Sequence, residues 1–167
     1  MISVFFRGLV LAALVFLAAC TQSKFATYNG PRVTKVEVFK DARIMRLYHG
    51  SRVLETYEID LGFGAVGDKQ FEGDGKTPEG RYLIDRRNPN SSFYLSLGIS
   101  YPNMRDVAFA RSQGRDPGGD IFIHGQPNVF KPGRGPDWTA GCIAVKNSEM
   151  RQIYAMVKNG TVIDIFP

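Results

Sequence analysis

The sequence predicts a mixed, β-dominated domain, and three observations lead to this prediction. The first is composition: 18 glycines and 9 prolines in 167 residues indicate many turns. The second is a series of segments that alternate polar and apolar residues with a period of two, as half-buried strands do. The third is that two segments combine a helix cap with a terminating glycine. The length fits one domain with its own hydrophobic core.

The strand pattern begins at Arg32. The segment RVTKVEVFK alternates polar residues with valines after a break in phase at Thr34 and Lys35. RIMRLY and RVLETYEI then flank HGS, and a three-residue connection that contains glycine predicts a hairpin. His49 lies in this turn, and we interpret it as an exposed turn residue.

A glycine-rich connection at 62–80 contains GKT, which invites comparison with a phosphate-binding loop. The phosphate-loop pattern requires glycine where Gln70 stands, and Pro78 directly follows Thr77 where a helix should begin. Nucleotide binding is therefore excluded. The net charge is +5, but the basic residues are scattered. No basic helix or block indicates a nucleic-acid site.

The second half adds more strands and both helices. We expect strands at RYLID, FYLSL, IFIHG and TVIDIF. Asn103 and Gly114 bound one predicted helix, and Asn147 and Gly160 bound the other. The expected total is six to eight strands and two helices.

The first 19 residues have the pattern of an export signal: one early cation, an apolar run too short for a membrane span, and small residues at the end. The ending LAAC resembles the bacterial lipobox, which implies lipidation of Cys20; the alternative is an ordinary cleavable signal. We therefore divide the chain into a lipoprotein signal peptide (1–19), a lipidated tether (20–31) and a folded domain (32–167). The lipid would attach the domain to a membrane. Thr21 lacks acidic character, so we expect the outer rather than the inner membrane.

Cys142 is the cysteine that remains for chemistry. The chain has 2 cysteines, so lipidation of the other would leave Cys142 without a disulfide partner in an oxidising compartment. His124 ends an apolar strand-like segment and is the one credible base for a thiol nucleophile. Gly141 precedes the cysteine and would let a substrate carbonyl approach the main chain closely, so the N–H groups of Gly141 and Cys142 are natural oxyanion donors. The spacing alone also fits a cysteine that is simply buried.

A resemblance to a known protein family is more specific evidence than the spacing of His124 and Cys142. IHGQPN…DWTAGCIAV resembles the signature of the L,D-transpeptidase catalytic domain, and GDGKTPEGRYLID resembles its upstream segment. The resemblance covers about residues 33 to 167. It implies a β-sandwich or barrel with two short helices that acts on peptidoglycan stem peptides through a cysteine acyl-enzyme, without metal or cofactor. It also implies that Cys142 is the nucleophile and His124 the proton donor and acceptor, oriented by a backbone carbonyl, with Gly141 and Ala140 in the oxyanion turn.

The chain departs from the commoner Ser-His-Gly-Cys signature, because Ala140 and Ala144 replace a histidine and an arginine. It is similar to a divergent branch, some of whose members hydrolyse stem-peptide bonds. Four further residues are candidates for substrate binding: Trp138, Thr139, Gly125 and Tyr101. A zinc peptidase is the metal alternative, but three ligands are hard to find in this sequence.

These observations predict an L,D-transpeptidase lipoprotein of the cell envelope, facing the periplasm, whose partners are stem peptides and the membrane. The first alternative is a hydrolase of the same class of bond, either an L,D-carboxypeptidase or an amidase that frees wall-bound protein. The second alternative is an inactive domain that only binds peptidoglycan. No protein partner is predicted.

Overall fold

The β-dominated prediction is confirmed by a computed structural model, which describes residues 23–129, 133 and 135–167. The predicted signal peptide and Cys20 lie outside these residues. Eight strands are present: β1 (Lys35–Phe39), β2 (Ile44–His49), β3 (Arg52–Glu58), β4 (Gly80–Asn88), β5 (Ser96–Ile99), β6 (Phe122–His124), β7 (Ile143–Ala144) and β8 (Val162–Phe166). Two helices are described, α1 (Met104–Ser112) and α2 (Asn147–Met156). Neither helix has the length and apolar character needed to cross a bilayer.

The strands form one sheet in the order β3-β2-β1-β8-β4-β5-β6-β7. The pairs β1–β8 and β6–β7 are parallel, and the other neighbouring pairs are antiparallel. The sheet curls, because single bridges join Asp60 to Ala144 and Gly62 to Thr139. The chain just beyond β3 therefore touches the chain around β7, from the opposite edge of the sheet.

Period-two burial explains the strands of the first half. Val36 and Val38 on β1, and Met45 and Leu47 on β2, are fully buried, whereas the residues between them are more exposed. The predicted hairpin is present as the antiparallel pair β2–β3. His49 is exposed, as predicted, but it is the last residue of β2 and pairs with Arg52 rather than lying in the turn.

Helix α1 has the predicted cap: Asn103 accepts hydrogen bonds from the N–H groups of Arg105 and Asp106. The predicted cap of α2 was wrong by one residue, because the helix begins at Asn147 and Lys146 is the cap. The Asn147 side chain instead accepts a hydrogen bond from Gln126 N–H at 2.7 Å, so it fixes the loop after β6.

The FYLSL strand prediction also needs correction. β5 begins at Ser96, because Tyr94 has a φ of 69°, a left-handed conformation that a strand excludes. Phe93 and Tyr94 therefore lie in the loop between β4 and β5.

The segment after the predicted lipidation site contacts the domain. The Lys24 ammonium donates to Pro89 O at 2.8 Å, and the Tyr94 hydroxyl donates to Lys24 O at 3.3 Å. Phe25 contacts the ring of Tyr154 on α2, with the ring centres 6.2 Å apart. The part of the predicted tether that the structure describes thus lies against the domain near the β4–β5 loop.

Two buried lysines hold the glycine-rich connection 62–80. Lys40 is 1% exposed, and its ammonium donates to Gly67 O, Thr77 O and the Glu79 carboxylate at 2.6–2.9 Å. Lys69 is 4% exposed and donates to Phe71 O and the Asp74 carboxylate, each at 2.9 Å. Because each ammonium has several oxygen partners, these buried charges fix the loop rather than form an anion site.

Candidate active site

The two residues predicted to carry chemistry lie on neighbouring chain segments. β6 and β7 run parallel, with His124 in register with Ala144, so Phe122 lies beside Cys142. Side chains two residues apart on a strand share a face. Phe122 and His124 therefore project to the side where Cys142 lies, and all three line one cavity of about 430 Å³.

The Cys142 sulfur lies between two backbone groups. Phe122 N–H donates to Sγ at 3.4 Å, and the thiol donates to Asp120 O at 3.5 Å. Burial raises the pKa of the Cys142 thiol; the Phe122 N–H opposes this increase, and the Asp120 carboxylate adds to it. Burial and the Asp120 carboxylate favour the neutral thiol, so a reaction at this sulfur would need a base to remove its proton.

His124 is 4% exposed and is oriented by the main chain. Its Nδ1 lies 2.7 Å from Gly125 O. Because a carbonyl can only accept, Nδ1 carries a proton, and in the neutral ring Nε2 carries the lone pair. The Phe93 ring packs against the imidazole with 4.5 Å between centres, and the Trp138 ring lies at 5.6 Å. This arrangement fixes the tautomer that a general base requires.

Thr139 closes the turn that carries the cysteine. Its hydroxyl donates to Cys142 O at 2.7 Å and accepts from Gly141 N–H at 3.1 Å. The Gly141 N–H, which the sequence suggested as an oxyanion donor, is thus engaged within the turn. The N–H of Cys142 is the other predicted donor.

Gly141 is required by the backbone. Its φ is 132°, and a Cβ at this position would lie 2.6 Å from Lys76 O. Only glycine fits this conformation so close to another main-chain segment. The close approach comes from the 62–80 connection, so that connection packs directly behind the cysteine turn.

Two aspartates that sequence reasoning did not place in the site anchor this turn. The Asp60 carboxylate accepts from Trp138 Nε1–H at 3.1 Å and from Asp137 N–H at 3.3 Å. Asp137 accepts from Leu61 N–H at 3.0 Å and forms a 2.7 Å ion pair with Arg43. Burial opposes ionisation of Asp137, but Arg43 and the Leu61 N–H hold its pKa below the usual range. Each of these contacts joins residues more than 70 positions apart, so no local sequence pattern predicts them.

The structure brings most of the predicted site together. Besides the cysteine and histidine, the cavity is lined by three of the other predicted residues, Trp138, Thr139 and Ala140. The remaining lining residues are Asn88, Ser91, Ser92, Phe93, Ser96, Asp120 and Phe122. The β4–β5 loop therefore supplies a polar wall that the sequence patterns did not indicate.

Tyr101 and Gly125 lie elsewhere. Tyr101 is 4% exposed in the hydrophobic core, and its hydroxyl donates to Pro117 O at 2.8 Å, so packing rather than the cleft explains it. Gly125 is buried behind His124, where its N–H donates to Phe93 O and its carbonyl accepts from the imidazole. Among the described residues, no group of three or more His, Cys, Asp or Glu side chains could hold a metal ion.

Comparisons with known proteins agree with this geometry. The family model of the L,D-transpeptidase catalytic domain matches residues 34–165. YafK from Escherichia coli strain K12, a protein assigned to the L,D-transpeptidases, is 30% identical over 133 residues, covering 76% of this chain and 48% of YafK. YkuD from Bacillus licheniformis, with the same assignment, is 27% identical over 138 residues, covering 80% of this chain and 66% of YkuD.

A solved structure gives the same result. The helical cell shape determining protein Pgp2 from Campylobacter jejuni superposes with a TM-score of 0.64 at 28% identity, covering 87% of this chain and 51% of Pgp2. The chain thus spans about half the length of YafK and of Pgp2.

Proposed function

Because this chain belongs to the L,D-transpeptidase catalytic domain family, we propose that it acts on peptidoglycan stem peptides through a thioester on Cys142. The family implies the stem-peptide substrate. The bond that breaks, the acceptor and the role of each residue belong to the proposal.

One observation carries the proposal. A cysteine thiol and a histidine fixed in its Nδ1-protonated tautomer line the same cavity of about 430 Å³, large enough to admit a peptide end. A purely structural cysteine would have no need of an oriented imidazole or a cavity.

The proposed acylation uses the thiol and the imidazole that line this cavity. The imidazole of His124 takes the proton of Cys142 as the sulfur attacks the carbonyl carbon after the meso-diamino acid of the donor stem. A tetrahedral oxyanion forms, and the Cys142 N–H is the donor proposed to stabilise it. The C–N bond then breaks, His124 returns the proton to the leaving nitrogen, and D-alanine departs from the thioester.

Deacylation reverses the proton transfers. An amine from a neighbouring stem attacks the thioester carbonyl while His124 takes its proton, and the sulfur leaves to regain a proton. Water in place of the amine would give an L,D-carboxypeptidase. A protein-linked stem as the donor would give an amidase that frees wall-bound protein.

Mass spectrometry of the full chain incubated with disaccharide-tetrapeptide muropeptides tests the proposal. A cross-linked dimer, or exchange of the terminal D-alanine for an added D-amino acid, is the expected result. Loss of D-alanine with gain of water alone would identify the carboxypeptidase. No product and no acyl-enzyme mass would favour an inactive domain that binds peptidoglycan.

The matched controls are two substitutions of the nucleophile. Cys142→Ala removes the sulfur and should abolish both turnover and the acyl-enzyme mass. Cys142→Ser keeps a similar side-chain shape and should preserve folding, but a serine hydroxyl is a far weaker nucleophile here. Turnover by Cys142→Ala equal to that of the unmodified chain would contradict the proposal.

For location, we propose a lipoprotein of the cell envelope that faces the periplasm, in the outer rather than the inner membrane. Metabolic labelling with a fatty acid, lost in Cys20→Ala, tests the lipid anchor. Membrane fractionation of the labelled protein then distinguishes the two membranes.

A further inference from the structure

Trp138 forms one wall of the cavity, and the Asp60 carboxylate accepts a hydrogen bond from it. Its indole N–H donates to Asp60 Oδ2 at 3.1 Å, while Asp60 Oδ1 accepts from the N–H of Asp137 at 3.3 Å. One side chain thus fixes both the ring and the backbone that leads into it.

The backbone of Asp60 is fixed as well. Its N–H donates to Ala144 O at 2.9 Å, and its carbonyl accepts from Ala144 N–H at 2.8 Å. Ala144 is in register with His124. The backbone that bears the Asp60 carboxylate is therefore fixed beside β6 and β7, the strand pair that carries His124.

The wall reaches the histidine through aromatic contacts. The Trp138 ring lies 5.6 Å from His124 and 6.0 Å from Phe93, and Phe93 lies 4.5 Å from His124. A shift of the indole would widen the cavity on the side of the imidazole. The sulfur has its own backbone partners, Phe122 and Asp120, and these do not involve the indole.

We propose that Asp60 is a positioning residue, which fixes Trp138 as the wall against which the donor stem peptide is held. Asp60 touches neither of the reacting atoms and acts through the indole. This inference rests on the proposed function for its substrate, but the position of the indole can be measured without turnover.

The first measurement uses the fluorescence of Trp138, since the chain contains 1 tryptophan. Asp60→Ala should shift the emission maximum to longer wavelength, because the released indole gains contact with water. Glu58→Ala, which removes another carboxylate two residues away at the exposed end of β3, should leave the emission unchanged. An unchanged emission maximum in Asp60→Ala would overturn the inference.

The second measurement is a double-mutant cycle with muropeptide turnover. Loss of a hydrogen bond to a charged group predicts that Asp60→Ala raises KM about tenfold while kcat changes less. Trp138→Phe keeps an aromatic ring without the N–H. If Asp60 acts mainly through the indole, adding Asp60→Ala to Trp138→Phe changes KM much less than Asp60→Ala does in the unmodified chain, because only the hydrogen bond from Asp137 N–H is then lost. Additive effects would show that Asp60 acts by another route and would overturn the inference.

Two further measurements separate positioning from folding and from the proposed function. Asp60→Asn offers one acceptor oxygen to two N–H donors, so its emission and KM should lie between those of the unmodified chain and Asp60→Ala. Alkylation of Cys142 by iodoacetamide should keep its rate in all Asp60 variants; an equal fall in alkylation and turnover would indicate a general loss of structure and overturn the inference. If the unmodified chain shows no turnover, the proposed function fails and the emission shift alone decides the role of Asp60.

Discussion

The two halves of the sheet are built by different means. β3, β2, β1, β8 and β4 contain five to nine residues each, and their ladders run in continuous register apart from one irregularity in β2–β3. β5, β6 and β7 contain four, three and two residues, and they carry the candidate site. The first group of strands, which we call the regular half, holds its shape by strand pairing. The second group, which we call the irregular half, has ladders too short to hold its shape by pairing alone.

In the irregular half, hydrogen bonds from side chains to the main chain fix the turns and loops that the short strand ladders cannot fix. Thr139 bridges the two ends of its own turn, Asp60 and Asp137 fix the approach to it, and Asn128 holds the β4–β5 loop through Tyr94 N–H and Ser91 O. The candidate site is therefore positioned by a few polar contacts between residues far apart in the sequence. Changes in the two halves should therefore have separable effects.

The largest effect is expected from His124→Ala. Loss of the general base should lower turnover by about 10²- to 10⁴-fold without unfolding the domain. Alkylation of Cys142 by iodoacetamide should continue, since it does not need a leaving-group acid. His49→Ala is the matched control, because His49 is exposed at the end of β2 in the regular half. Turnover by His124→Ala at the rate of His49→Ala would contradict the assigned role.

Lys40→Met tests the regular half. The substitution leaves Glu79 and two carbonyls without their buried cation, which should lower the free energy of unfolding by about 2–4 kcal/mol. Thermal and denaturant midpoints measure the loss, and Cys142 alkylation should fall only together with stability, because Lys40 reaches the cysteine turn only through the 62–80 connection that it holds. Lys35→Met is the control on β1, the strand that Lys40 directly follows; the Lys35 side chain is one-third exposed and pairs with Glu37, so its removal should change little. A fall in alkylation without a fall in stability would break the proposed separation.

Gly141→Ala tests the irregular half. A left-handed φ of 132° and a Cβ only 2.6 Å from Lys76 O should cost about 1–3 kcal/mol and displace the cysteine turn. Here turnover and stability should fall together. Gly119→Ala is the control, because its Cβ would meet open space and its φ lies outside the left-handed region. Normal turnover in Gly141→Ala would show that the turn tolerates the shift.

The same division separates what the sequence predicted from what it did not. Period-two patterns and an asparagine cap located β1 to β3 and α1, because those signals act over a few residues. The FYLSL strand prediction was wrong at Tyr94, because this residue has a left-handed φ and its N–H donates to Asn128, which lies in a loop 34 residues away. The Asn147 side chain was predicted as a cap but binds a loop 21 residues away. Asp60 lies 78 residues from Trp138, and no local pattern connects them.

The structure gives one glycine a reason that the sequence did not indicate. Gly141 was expected to let a substrate carbonyl approach the main chain. The structure shows that the group approaching it is Lys76 O, from the connection behind the turn. A glycine beside a nucleophile therefore indicates close approach, but the approaching group can be the protein itself.

The smallest effect is expected from Asp120→Asn. Burial is the main cause of the raised pKa of Cys142, and the Asp120 carboxylate contributes after the opposing Phe122 N–H, so removing that negative charge should lower the pKa. A lower pKa means more thiolate at any pH below it. The pH profile of Cys142 alkylation should therefore move to lower pH, and the rate at pH 8 should rise by about two- to threefold, since an exposed charge is screened by water and salt.

Asparagine tolerates the φ of 54° found at this position, so the backbone should be preserved. Glu55→Gln on β3 makes the same change of charge in the regular half and should leave the profile in place. Added salt should reduce the difference between Asp120→Asn and the unmodified chain. A slower alkylation in Asp120→Asn would mean that the carboxylate assists ionisation of the thiol rather than opposing it.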